Sequence, residues 1–73
     1  MGTVAEAMRL VVNGAERQVP PGTTLRALLA ELGLRPGSVV VERNGTALLR
    51  SEVDGVVLAD GDRLELVRAV AGG

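Results

Sequence analysis

Residues 8–33 read MRLVVNGAERQVPPGTTLRALLAELG, and this stretch decides the architecture. Its start alternates: Met8, Leu10 and Val12 point one way, Arg9 and Val11 the other, which is the period of a half-buried strand. Asn13-Gly14 follows, a pair that tolerates positive φ at both positions and so predicts a two-residue hairpin turn. Residues 16–19 make the return strand, with Arg17 and Val19 on a common face. Pro20-Pro21-Gly22 ends it, because neither proline can donate a ladder hydrogen bond. Thr23-Thr24 is an N-cap pair. Leu25, Leu28, Leu29 and Leu32 then fall at i, i+3, i+4 and i+7, one apolar stripe of a helix whose other face is Arg26, Ala27, Ala30 and Glu31. Gly33 suits the position after the last turn, and Pro36 closes the element. A helix of about nine residues does not stand alone in water. Its leucines must pack on the sheet, each burial contributing roughly 1.5–3 kcal/mol.

Working outward, residues 38–43 predict a third strand, with Val39 and Val41 alternating against Val40 and Glu42. Asn44-Gly45 is a second turn, and residues 46–50 are expected as a short fourth strand. Residues 51–59 read as a long connection with one irregular turn, anchored by Val56-Val57-Leu58. Asp60-Gly61-Asp62 is a third turn. Residues 63–67 form the last strand, with Leu64 and Leu66 inward. A hairpin, one amphipathic helix, then strands that close a mixed sheet is the β-grasp (ubiquitin-like) plan of the α+β class. It implies four to five strands, the helix packed on one face, and the other face mostly solvated.

The composition bounds what such a domain can do. The chain has 73 residues and therefore one domain. It holds no Cys, His or aromatic residue. Disulfides, thiolate nucleophiles, imidazole acid–base chemistry and base-stacking platforms are excluded. All eight basic residues are Arg, which excludes a Schiff-base or phosphate-loop lysine. A net charge of −1 argues against nucleic acid. Apolar runs reach only four or five residues, against roughly 20 for a membrane span. Residues 1–7, MGTVAEA, lack a basic start and an apolar core, so they read as a disordered leader or a cloning remnant ahead of a natural start at Met8. A cytoplasmic protein, monomeric when free, is expected. The aspartates 54, 60 and 62 with Glu65 miss the spacing of a Ca²⁺ loop and read as turn residues.

The alternation breaks at the end of the chain. Continuing the inward phase of Leu64 and Leu66 would bury Arg68, which is costly without a partner. The buried strand is therefore expected to stop near Val67, giving a domain of residues 8–67 and a flexible tail of residues 68–73. Fully extended, six residues reach roughly 20 Å. The closing Gly72-Gly73 has little steric bulk, so the tail can thread a narrow channel and deliver a carboxylate.

These features together resemble the ubiquitin-like sulfur carriers of the ThiS family, which serve thiamine thiazole synthesis. The matching residues are Val12-Asn-Gly14, Thr24-Leu25 with Leu28-Leu29 and Leu32-Gly33, Asn44-Gly45, Arg50, Asp60-Gly-Asp62 and the ending Val70-Ala-Gly-Gly73. The small subunit of molybdopterin synthase is a relative. It shares the Asp-Gly-Asp turn and the Gly-Gly end but carries paired prolines near its tail. Arg68-Ala69 stands here instead, and the helix segment is shorter; both favour the thiazole branch.

The resemblance implies a carrier and not an enzyme. A ubiquitin-activating-like (ThiF-like) adenylyltransferase would use ATP to turn the Gly73 carboxylate into an acyl-adenylate. Sulfur would displace AMP, and the thiocarboxylate would serve a thiazole synthase (ThiG-like). No bound cofactor is expected. Val67, Arg68, Ala69, Val70, Ala71 and Gly72 are the expected partner contacts, with Arg68 facing a partner carboxylate and Gly72 in the partner's channel. The competing readings are a molybdopterin-synthase-type or other-pathway sulfur carrier, and a non-carrier β-grasp interaction module whose tail is idle.

Overall fold

The computed structural model describes residues 6–69. Strands β1 (Met8–Val12) and β2 (Ala15–Val19) form an antiparallel hairpin, with Val12 opposite Ala15. The turn between them has Asn13 at φ 50° and Gly14 at φ 81°. Both values lie in the left-handed region, the primed hairpin geometry that Asn-Gly favours. Helix α1 (Leu25–Glu31) follows. Thr24 is its cap, the side-chain oxygen accepting the Ala27 N–H at 3.1 Å. The regular helix has seven residues instead of about nine, with Leu32 as its cap, and Gly33, at φ 75°, reverses the chain at the position expected for it. Leu34 N–H then donates to Leu29 O and Gly33 N–H to Ala30 O, the paired bonds of a Schellman ending.

A 3₁₀ turn (Pro36–Ser38) leads into β3 (Val39–Arg43), and a second Asn-Gly turn joins it to β4 (Thr46–Ala47). The fourth strand expected over residues 46–50 thus stops after two. Leu48 N–H still reaches Val41 O at 2.8 Å, but the chain then winds into a helical turn, α2 (Arg50–Val53). Two local forces explain the turn. The Glu52 carboxylate accepts the Leu49 N–H at 2.7 Å, and Val53 is carried into the core at 2% exposure. The last strand, β5, is Arg63–Arg68.

The sheet runs β2-β1-β5-β3-β4. Strand β5 lies at its centre, parallel to β1 and antiparallel to β3. Helix α1 covers one face and buries Leu25, Leu28 and Leu29 completely against Leu10, Val41 and Leu64. Leu58, from the anchor in the connection, closes the same core, while Val57 is exposed. The outer face keeps Val40, Glu42, Glu65 and Val67 in solvent, as the alternation requires.

Candidate functional site

The candidate site is the root of the tail, where β5 leaves the sheet. Its register puts Val67 opposite Val40 and Arg68 opposite Val39. Val67 and Val40 stand side by side on the outer face, 59% and 52% exposed. The strand expected to stop at Val67 pairs for one residue more, and Ala69 N–H extends the ladder to Ser38 O at 2.8 Å. Arg68 has the inward phase of Leu64 and Leu66 yet stays exposed, so the burial argument against it does not apply. It lines a groove with Leu32, Leu34 and Arg17, beyond the last residue of α1. Val67, Arg68 and Ala69 are all exposed at the root. Val70, Ala71, Gly72 and Gly73, expected to carry the rest of the site, lie outside the described residues.

What holds this root still was not apparent from turn chemistry alone. The Asn13 carboxamide spans the gap to β5: Oδ1 accepts the Leu66 N–H at 2.7 Å and Nδ2 donates to Leu66 O at 3.2 Å. One side chain thereby does the work of a backbone rung where β1 has ended. The second turn does the same at the other end. Asn44 N–H donates to Arg63 O at 2.7 Å, and Asn44 Oδ1 accepts the Arg63 N–H at 2.8 Å. The sequence signal is the choice of Asn over Asp before each glycine, since only an amide both accepts and donates: Asn13 does both with Leu66, whereas Asn44 accepts from Arg63 and donates to Asp62.

Asp62 ties this end together. It is 5% exposed. Oδ2 accepts from the Ala59 N–H at 2.9 Å and from Arg43 Nε at 3.0 Å, with Arg43 Nη2 beside it at 2.9 Å as an ion pair, while Oδ1 accepts from Asn44 Nδ2 at 2.9 Å. Burial pushes the Asp62 carboxyl up. The donors Ala59, Asn44 and Arg43, with the Arg43 charge, outweigh it and hold the group below the ordinary 3.8. The neighbouring Asp60 accepts the Arg9 N–H at 2.7 Å. Both aspartates of the Asp60-Gly61-Asp62 turn are therefore occupied by the protein itself, in keeping with their reading as turn residues.

Among the described residues the site is a platform: a pinned central strand whose last residues, Val67, Arg68 and Ala69, are exposed. A helix across one face of a mixed sheet in this strand order defines the ubiquitin-like (β-grasp) fold. A computational design on the human erythrocytic ubiquitin template shares this fold, at TM-score 0.50 and 20% identity over 93% of this chain and 96% of that one. The chain belongs to the ThiS family, whose model matches residues 4–73, and which comprises the ubiquitin-like sulfur carriers of thiamine biosynthesis. The crystal structure of the thiamine biosynthesis protein (ThiS) of Geobacter metallireducens superposes at TM-score 0.75. Its identity is 33%, over 90% of this chain and 100% of that one. The chain is also 44% identical over 66 residues to a protein named thiazole synthase in Paramagnetospirillum magneticum. The match covers 90% of this chain but spans only 20% of that relative's length. No helix among the described residues is long and apolar enough to cross a membrane.

Proposed function

We propose that this chain carries sulfur as a thiocarboxylate on Gly73 and donates it for formation of the thiamine thiazole. The observation that carries the reading is membership of the family over residues 4–73, the Gly-Gly end included. The chemistry is consistent with it. A Gly73 carboxylate oxygen attacks the α-phosphorus of ATP, and pyrophosphate leaves. A sulfur nucleophile then attacks the acyl carbon and AMP leaves, because an acyl-adenylate has the leaving group that a carboxylate lacks. The chain has no Lys, His or Cys with which to run these steps, so a ubiquitin-activating-like adenylyltransferase binds the ATP and performs the activation in the cytoplasm. The acceptor is a thiazole synthase. A thiazole synthase relative whose own chain includes a stretch similar to this domain supports that pairing.

In this reading Val67, Arg68 and Ala69 form the contact surface at the root, with Val70 and Ala71 continuing it. Gly72 lies in the partner's channel. Intact-mass spectrometry tests the whole scheme. The chain is incubated with ATP, a sulfur source and the adenylyltransferase. The expected product is heavier by the exchange of one oxygen for sulfur, and is absent for a Gly73 deletion and for a chain with alanine appended after Gly73. Sulfur loading of the appended chain, or no loading of the unaltered one, rejects the carrier and favours the interaction module.

A further inference from the structure

The core is not equally closed at its two ends. Most of its members are 0–3% exposed, but Val12, Val39 and Leu66 stand at 7%, 8% and 8%. All three line one groove of about 420 Å³, which opens where α1 has ended. Half-buried Leu32 and Leu34 continue its apolar floor, and Arg17 and Arg68 bring two guanidinium groups to it. Only Arg17 has a carboxylate beside it in the described residues, Glu31 at 3.4 Å in an exposed pair.

The backbone beside the groove is also open. Bonds from Asn44 to Arg63 O and from Ala69 to Ser38 O show that odd-numbered residues of β5 exchange hydrogen bonds with β3. Even-numbered residues face β1 instead: Asp62 O and Leu64 O take β1-side donors, and Leu66 takes the Asn13 side chain. The next even residue is Arg68. Its N–H and C=O point to the β1 side beyond the end of that strand and meet no backbone partner among the described residues, a short edge of the kind that accepts an added strand.

We propose that this groove receives an extended segment of the adenylating partner, bearing an aliphatic side chain for the floor and a carboxylate for Arg17 and Arg68. The inference rests on the carrier reading and deepens it. The adenylating enzyme meets the tail as an ordinary carboxylate, with nothing chemical at Gly73 to mark it. It must therefore recognise the fold, and this is a concave, positively rimmed surface at the root of the tail. A residue on the partner segment pairs with the Arg68 backbone while its neighbours fill the floor.

The test uses the full chain and the adenylyltransferase, with ATP–pyrophosphate exchange as the activity readout and amide hydrogen exchange as the map. Complex formation slows exchange at Arg68, Ala15 and Leu34. Arg17→Ala raises the KM for the carrier about tenfold, the equivalent of one lost charge-assisted pair, with kcat retained; Arg17→Lys restores part of it. Glu31→Gln, which removes only the internal pair, leaves KM unchanged or lower, so loss of that bridge does not mimic the effect. Normal KM for Arg17→Ala, with protection confined to the Val40–Val67 face, overturns the groove and leaves the carrier intact. Protection already present in the isolated chain overturns it too, whether removed by truncating residues 70–73 (the chain's own tail) or by dilution (a second copy). Absence of any exchange with the unaltered chain removes the carrier reading and the groove proposal together.

Discussion

Strand β5 begins inside the molecule and ends at its border, and an Asn-Gly turn meets it at each place. Near Arg63, Asn44 pairs with the backbone and also with Asp62, whose second oxygen takes Arg43 and Ala59. Near Leu66, Asn13 supplies the same two-point clamp without any charged partner, and the core beside it is at its most exposed. The two turns have nearly the same backbone, φ 50° and 81° against φ 52° and 84°. Their surroundings separate them. The enclosed end carries a buried charged network; the open end is held by amide hydrogen bonds alone and leaves more of its surface in solvent.

The largest effect therefore belongs to the enclosed end. Asp62→Ala removes the acceptor of three hydrogen bonds and leaves the half-buried Arg43 without its carboxylate. A cost of about 3–5 kcal/mol is expected in urea denaturation, a large part of the stability of a domain this size. The same contact sets an acid limit. Because the folded carboxyl lies below 3.8, its contribution is complete above that value and disappears as pH falls through the lower, folded one. Asp62→Asn should flatten this part of the stability–pH curve. An unchanged acid slope in Asp62→Asn would assign the loss to other carboxylates and weaken the contrast between the ends.

A smaller effect is expected at the open end. Asn13→Gly keeps the positive φ and removes only the clamp, two hydrogen bonds to a part-buried backbone. The domain should lose about 1 kcal/mol, with the Leu66 amide exchanging faster by about tenfold. Asn44→Gly keeps the backbone bond to Arg63 O and also loses two side-chain bonds, but it should cost more because one of them is the donor to the buried Asp62 carboxylate. Equal losses from the two variants, by denaturation under one set of conditions, would show that the ends are alike and that the charged network adds nothing.

Most of the fold could be read from periodicity. The 2-residue alternation placed β1, β2, β3 and the inward residues of β5, and the leucine spacing placed α1, because each pattern has a single way to bury its apolar side. Residues 48–53 could not be read so. Leu48, Leu49 and Val53 fit no simple period, and their path depends on a Glu52 bond and a core vacancy that only the assembled sheet creates. Arg68 failed for a related reason. Inward phase implies burial only where a helix covers the sheet, and α1 ends before reaching it. Of the site, the placing of Val67 at the end of the last strand was legible in the sequence. The Asn clamps were not, since both act over long sequence separations.

The smallest expected effect lies on the outer face of the open end and sharpens the comparison most. Val67 and Val40 face each other across β5 and β3, each more than half exposed. Val67→Thr keeps the β-branched shape and strand propensity and replaces one methyl by hydroxyl. Because little of the side chain is withdrawn from water by folding, stability should change by less than about 0.5 kcal/mol. Docking is another matter. If a partner covers this face, the added hydroxyl is desolvated, and the KM of adenylation should rise about tenfold, within the usual cost of burying such a group. Thermal denaturation and carrier-dependent pyrophosphate exchange measure the two effects on the same preparation. A stable variant with a raised KM separates recognition from folding at a single residue. A destabilised one would show that the outer face also holds the strand in place, and a variant normal in both would leave Val67 an ordinary exposed valine, with partner recognition confined to the helix side of the sheet.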